Sequence, residues 1–242
     1  MAAPPTYTYG KTRTKFVVDL LKLTFGTSAF YSSRLLREKI ALARSRGVCI
    51  FPGGTFLEVA LLQGKLERFL DRAGELGFDA IEVSDGTITM LPEQRRWCIA
   101  QGRARGLRVI SEVGKKDPAD EIAPALMLEQ VQADLDAGAE RVIVEGRESG
   151  QGVVIYDRQG NIKAETLEAL AGGLADPSVL MWEAPLKPQQ QALIMRFGTN
   201  VNLGNVAPGD ILALEALRCG LRGDTLKAAL RSGGGPVREV AR

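Results

Sequence analysis

Short runs of aliphatic and β-branched residues alternate along the chain with longer stretches in which apolar positions recur every three or four residues. The runs fall at 17–23, 47–51, 79–84, 107–113, 141–146, 179–184 and 199–204. One intervening stretch places Phe56, Val59, Ala60, Leu66, Phe69 and Leu70 on a single helical face with charges opposite. Gly47, Gly77, Gly106 and Gly138 each close a helical stretch just before the next run, as helix C-caps do. Strand–helix alternation predicts parallel strands joined by right-handed crossovers. Seven such units in a chain of 242 residues predict an α/β fold, a single-domain (β/α)8 TIM barrel, over an open doubly wound sheet. No GxGxxG opens a first helix, so a dinucleotide site has no support. The eighth strand is predicted at 211–217, with the last helix starting in GDTLKAAL. The barrel domain is expected over 16–230, between a loose N-terminal arm at 1–15 and a flexible, Gly-rich C-terminal tail at 231–242.

Composition narrows the chemistry more than the class. The chain has no histidine, which excludes a Ser-His-Asp triad, a Cys-His dyad and His-ligated zinc. Chemistry falls to carboxylates, lysines, arginines, hydroxyls, backbone groups or a hard metal. A formal net charge of +2 gives no bulk signature of a nucleic-acid partner. No apolar stretch is long enough to span a membrane, and the N-terminus lacks the apolar run of a signal peptide. Cys49, Cys98 and Cys219 match no metal spacing and no disulfide framework, so they are expected as small buried hydrophobes in a reducing, cytoplasmic setting.

In such a barrel the site lies at the carboxyl ends of the strands. Lys22 ends the first run, and the second leads into FPGGTFLE with Gly54, Thr55 and Glu58. Glu82, Glu112, Glu145 and Glu183 close four successive later runs. Asp85 follows the first of them, Lys115 and Lys116 the second, and Arg147, Glu148 and Ser149 the third. Asn202 and Asn205 end the seventh run, and Arg222 stands in the last segment. One strand-end glutamate is commonly a structural ion pair, but four in succession predict a ring of carboxylates that needs a cation. With no histidine present that cation is Mg²⁺, with Glu82, Glu112, Glu145, Glu183 and Asp85 as candidate ligands. Cations beside such a ring suit an anionic, phosphorylated substrate: Arg147, Arg222 and Lys116, with Ser149, Gly54, Thr55 and Asn202 as further binding candidates. Lys115, with Lys22 in reserve, is the expected proton donor, and Glu148 a further catalytic candidate.

Taken in order, KLTFGTS, FPGGTFLE, IEVSDGTI, SEVGKK, DLDAGAERVIVEGRESG, WEAPLK, NVNLGN and LEALRCGLRGDT resemble the phosphosulfolactate synthase family, over roughly residues 19–225. Phe25 stands where that family carries a tryptophan. The resemblance implies a (β/α)8 barrel, Mg²⁺ dependence and addition of sulfite to phosphoenolpyruvate. The product would be (2R)-phospho-3-sulfolactate, on a coenzyme M route. A homo-oligomer is expected, with small-molecule substrates and neither nucleic acid nor membrane as partner. Two other readings stay open: another Mg²⁺-dependent barrel enzyme acting on a phosphoenol or 2-oxo acid, and a non-enzymatic, stress-associated family member like the plant relatives linked to heat tolerance.

Overall fold

A computed structural model describes residues 6–9, 17–223 and 225–227. Eight strands form one curled sheet: β1 Thr6–Tyr9, β2 Leu20–Leu23, β3 Cys49–Pro52, β4 Ala80–Val83, β5 Arg108–Val113, β6 Arg141–Val144, β7 Leu180–Glu183 and β8 Leu203–Val206. Eight α-helices accompany them among the described residues: α1 Ser33–Ser45, α2 Gly54–Leu62, α3 Leu66–Leu76, α4 Pro92–Ala104, α5 Pro124–Ala137, α6 Ala164–Gly172, α7 Lys187–Phe197 and α8 Ile211–Arg218. The sheet order is β3-β2-β1-β8-β7-β6-β5-β4. Its two ends meet where the Asp79 N–H donates to the Ile50 carbonyl at 3.1 Å and the Ile50 N–H donates to the Asp79 carboxylate, also at 3.1 Å. Satisfying both groups leaves no open edge there. The architecture is a single-domain α/β barrel.

Seven of the strands are the parallel ones read from the sequence, and β8 lies a few residues later than the run at 199–204. The eighth differs. Residues 211–217 are helical, within α8, because Leu214 and Leu217 are buried at helical spacing while Leu212 is 79% exposed. The gap between β8 and β2 is filled by β1, antiparallel to both, from the segment expected to be a loose arm. The tail at 231–242 lies outside the described residues.

Gly47, Gly77, Gly106 and Gly138 all have positive φ, as the predicted caps require. Cys49 and Cys98 are buried as expected and burial pushes both thiols up to about 11, but Cys219 is exposed. Among the described residues no helix is long and apolar enough to cross a membrane.

Behind the barrel mouth, α4 and α5 are tied by a buried ion network. Arg95 donates through Nε and Nη2 to both oxygens of Asp134 at 2.8 and 2.7 Å, through Nη1 to Asp85 at 3.0 Å, and through Nη2 to the Glu112 carbonyl at 2.7 Å. The planar guanidinium serves these acceptors at fixed angles, which an ammonium cannot do. Removing it leaves two buried carboxylates without that partner. Arg95→Met is therefore expected to lower stability by about 3–5 kcal/mol. Urea denaturation measures this; an unchanged midpoint would contradict it.

Candidate active site

Leu20, Cys49, Phe51, Ala80, Ile110, Ile143 and Met181 pack together inside the barrel. Strand side chains alternate, so the residue two positions further on faces the same way. On five strands that residue is charged: Lys22 above Leu20, Glu82 above Ala80, Glu112 above Ile110, Glu145 above Ile143 and Glu183 above Met181. Together they line a cavity of about 220 Å³ at the carboxyl-end mouth, over an apolar floor.

The Lys22 ammonium stands at the centre. Its Nζ lies 3.0 Å from Glu82 Oε2, 3.2 Å from Glu112 Oε2 and 3.3 Å from Glu183 Oε1. Lys116 enters from the β5 side, donating to Thr55 Oγ1 at 3.2 Å, with Glu112 Oε1 and Glu145 Oε2 each at 3.6 Å. Backbone N–H groups orient three of the carboxylates: Gly54 to Glu82 at 3.0 Å, Gly146 to Glu183 at 3.1 Å and Arg147 to Glu145 at 2.6 Å. Gly54 can approach this closely because it has no Cβ, which would sit 2.7 Å from Glu82 Oε1. Arg147 and Asn205 hold left-handed conformations with φ of 56° and 55°. That bend brings the Asn205 amide to the Arg147 carbonyl at 2.8 Å and to Glu183 Oε2 at 3.3 Å.

Four carboxylates face two ammonium groups, so full ionisation leaves two negative charges in excess. Burial pushes Glu82 up to about 8, against the pull of Lys22. Burial, with Glu112 and Glu183, lifts Glu145 well above the usual carboxylate range. Glu112 moves the other way: burial alone would raise it, but Lys22 and Lys116 hold it far below that range. Burial would lower both lysines, yet the surrounding carboxylates keep both above their ordinary value. Two carboxyls driven toward their protonated forms match the two charges in excess. Glu82 Oε2 and Glu112 Oε1 are also buried with an ammonium at ion-pair distance and no lysine hydrogen bond, while the Glu82 and Glu145 carboxyls lie within hydrogen-bonding reach of Glu112. Surplus charge and buried carboxylate oxygens fit an oxygen-ligated divalent cation. No three acidic or cysteine side chains among the described residues converge to cage an ion. The fit is for one or two carboxylate ligands completed by water and substrate, a common arrangement for Mg²⁺.

Of the residues singled out from the sequence, Lys22, Gly54, Thr55, Glu82, Glu112, Lys116, Glu145, Arg147, Glu148 and Glu183 line the cavity. Five others are placed elsewhere. Lys115 turns away, giving its protons to the Asp85 carbonyl, Asp85 Oδ2 and the Ile88 carbonyl at 2.6, 3.0 and 2.9 Å. Neighbouring residues leaving a strand face opposite ways, and Lys116 is the one that points inward. Asp85 has one oxygen on Arg95 and the other on Lys115, so neither is left for a metal. The Asn202 amide donates to the Ser178 and Leu180 carbonyls, at the far end of β7. Ser149 accepts from the Gln151 N–H at 3.3 Å, and Arg222 follows α8 outside the cavity lining. The buried pair Arg95 and Asp134, which braces β5, is not among the expected site residues; Glu58, noted only for its place after the Gly-Gly turn, accepts from Ser84 Oγ and from the Thr87 and Ile88 N–H groups. Arg95 shares a helical face with Ile99 and Gly102, and that inward position was the available signal.

The solved structures similar to this chain are low in identity and speak to the fold alone. Dihydrodipicolinate synthase from Agrobacterium tumefaciens matches with TM-score 0.52 at 13% identity, over 88% of this chain and 67% of that one. N-acetylneuraminate lyase from Mycoplasma synoviae matches with TM-score 0.51 at 12% identity, over 89% and 65%. Curated relatives are much nearer in sequence. Phosphosulfolactate synthase of Methanocaldococcus jannaschii is 41% identical over 210 residues, 86% of this chain and 83% of that one. Its namesake in Methanothermobacter thermautotrophicus is 42% identical over 211 residues, 86% and 81%, and that of Bacillus subtilis 37% over 210 residues, 86% and 82%. The family described as (2R)-phospho-3-sulfolactate synthase (ComA) matches residues 12–224, a span that contains every residue of the charged layer. The chain belongs to the phosphosulfolactate synthase family of enzymes.

Proposed function

We propose that this enzyme adds sulfite to phosphoenolpyruvate in the presence of Mg²⁺, giving (2R)-phospho-3-sulfolactate as an early step toward coenzyme M. Family membership supports the product. The observation that carries the reading is the mouth itself, a carboxylate layer with two charges in excess, set among Lys22, Lys116 and Arg147. Both substrates are anions and would be repelled by an uncompensated layer. Glu82 and Glu112, each with a buried oxygen that takes no lysine hydrogen bond, are the residues that would hold Mg²⁺. The metal would stabilise negative charge developing on the substrate carboxylate.

The chain's own groups do the rest. Lys22 holds three of the carboxylates in place. Arg147 braces the rim through Nη1 on the Lys116 carbonyl at 3.1 Å, leaving the other edge of its guanidinium for an anionic substrate group. Sulfite sulfur bonds to C3, the C2–C3 π pair moves onto C2 and the carboxylate, and C2 then takes a proton. Lys116 is the donor in this scheme. Its ammonium reaches the cavity, the carboxylates keep it charged, and its 28% exposed side chain can be reloaded from solvent. Donation from one fixed side sets a single configuration at C2. No covalent nucleophile is needed, which accords with a chain lacking histidine. A cytoplasmic setting suits a chain whose three cysteines match no disulfide framework.

Phosphorus NMR of the purified enzyme tests the reaction. A new phosphate ester should appear when phosphoenolpyruvate, sulfite and Mg²⁺ are all present, and not when sulfite or the metal is withheld. Unchanged phosphoenolpyruvate in the full mixture would refute the substrate assignment. The two adjacent lysines separate chemistry from structure. Lys116→Met should reduce kcat by roughly 10²–10⁴, the share of general acid catalysis. Lys115→Met should mainly loosen the turn at Asp85 and lower thermal stability. A folded Lys116→Met enzyme with near-normal kcat would move the donor role elsewhere.

A further inference from the structure

A second cavity lies outside the barrel, between α1 and α3 beside the end of β3, with a volume of about 390 Å³. It is larger than the 220 Å³ cavity at the barrel mouth. It opens to solvent along one side, and its volume falls in the usual range of ligand pockets.

Its walls are apolar. Leu36, Ala73 and Phe78 are buried behind it, and the Phe56 and Phe69 rings meet edge to face at 5.2 Å and 73°. Its polar side chains are uneven in sign. Lys65, Arg68 and Arg72 line it, and no carboxylate does. Arg72 is committed, at 2.9 Å to Glu75 and 3.2 Å to Ser33 Oγ. Among the described residues Lys65 has only the neutral Gln63 amide oxygen, at 3.3 Å, and Arg68 has no carboxylate within ion-pair distance. Two cations without carboxylate partners beside a hollow with aromatic walls are complementary to a negative head on an apolar body. A metal ion finds no acid here, and a bare inorganic anion leaves the aromatic walls uncovered.

We propose that this outer cavity is a binding site for a small amphipathic organic anion. An aromatic or alkyl body lies against Phe56 and Phe69, and a carboxylate or sulfonate head meets Arg68 and Lys65. The site is separate from the barrel mouth, and the proposal does not rest on the substrates assigned there. It is also not isolated from the mouth. A side chain at Gly26 would meet the Phe56 ring at 3.7 Å, so the turn carrying Phe25 rests on the ring that walls the outer cavity.

Titration of the intact enzyme with 8-anilinonaphthalene-1-sulfonate, followed by fluorescence, tests this. One probe per chain should bind. Decanoate should displace it, while the same concentration of sulfate or phosphoenolpyruvate should not. Arg68→Glu, which removes a charge-assisted contact on an exposed helix face, should weaken the probe about tenfold or more. Val59→Trp, which fills the cavity from its exposed wall, should do the same. Lys116→Met at the barrel mouth should leave the probe's affinity unchanged. Displacement by phosphoenolpyruvate, or loss in Lys116→Met, would place the probe in the barrel mouth and overturn the proposal. Binding to Arg68→Glu and to Val59→Trp as tight as to the unmodified enzyme would overturn it too. So would exclusion of the probe until the native assembly is dissociated, which would make this face a contact between copies of the chain.

Discussion

The Lys22 ammonium, enclosed by carboxylates from β4, β5 and β7, is the interaction around which the site is organised. Burying one cation among several anions is costly in desolvation, and such clusters rarely repay that cost in stability. Here the balance is also incomplete. Lys22 and Lys116 cannot neutralise Glu82, Glu112, Glu145 and Glu183 together. Burial and mutual repulsion push Glu82 and Glu145 toward their protonated forms, while Glu112 stays ionised between the two lysines. The proposed Mg²⁺ would take the place of those protons, and in doing so would make the mouth hospitable to anions.

Everything adjacent keeps that layer in register. The apolar floor formed by Leu20, Phe51, Ala80, Ile110, Ile143 and Met181 closes the barrel beneath it. Gly54, Gly146 and Arg147 aim backbone N–H groups at Glu82, Glu183 and Glu145, so each of these is held by a backbone donor as well as by a lysine. Behind β5, Arg95 holds the Glu112 carbonyl and both Asp85 and Asp134. Lys115 completes that support from the other side of Asp85. Two consecutive lysines thus do different work, one bracing the turn and one facing the cavity.

The charged layer was legible because strand periodicity is strict. A glutamate at the end of each of four apolar runs could only face the mouth or be buried without a partner. The division of labour between Lys115 and Lys116 was half legible: alternation says that one faces inward, but not which. The eighth strand was misread because ILALEAL is apolar enough for a strand, while its burial at Leu214 and Leu217 follows a helix. The strand that fills that place, Thr6–Tyr9, carries its own signal in TYTY, a β-branched and aromatic alternation. Prolines just before it and polar residues after it mask that signal. Arg95 and Asp134 are not legible because their pairing spans 39 residues of sequence; Glu58 is legible as a position, but its role is set by Ser84, 26 residues away. No local pattern reveals such pairings.

The central claim is that the carboxylate layer carries protons that a divalent cation displaces. Isothermal calorimetry of Mg²⁺ binding at pH 7, run in buffers of different ionisation enthalpy, counts those protons directly. Glu82, pushed up to about 8, is mainly protonated there, and Glu145 is raised in the same direction, so binding should release protons. Release should fade, and affinity level off, as the pH rises above about 8 and Glu82 ionises unaided. Mg²⁺ binding that releases no protons at pH 7, with an affinity flat in pH, would contradict the account.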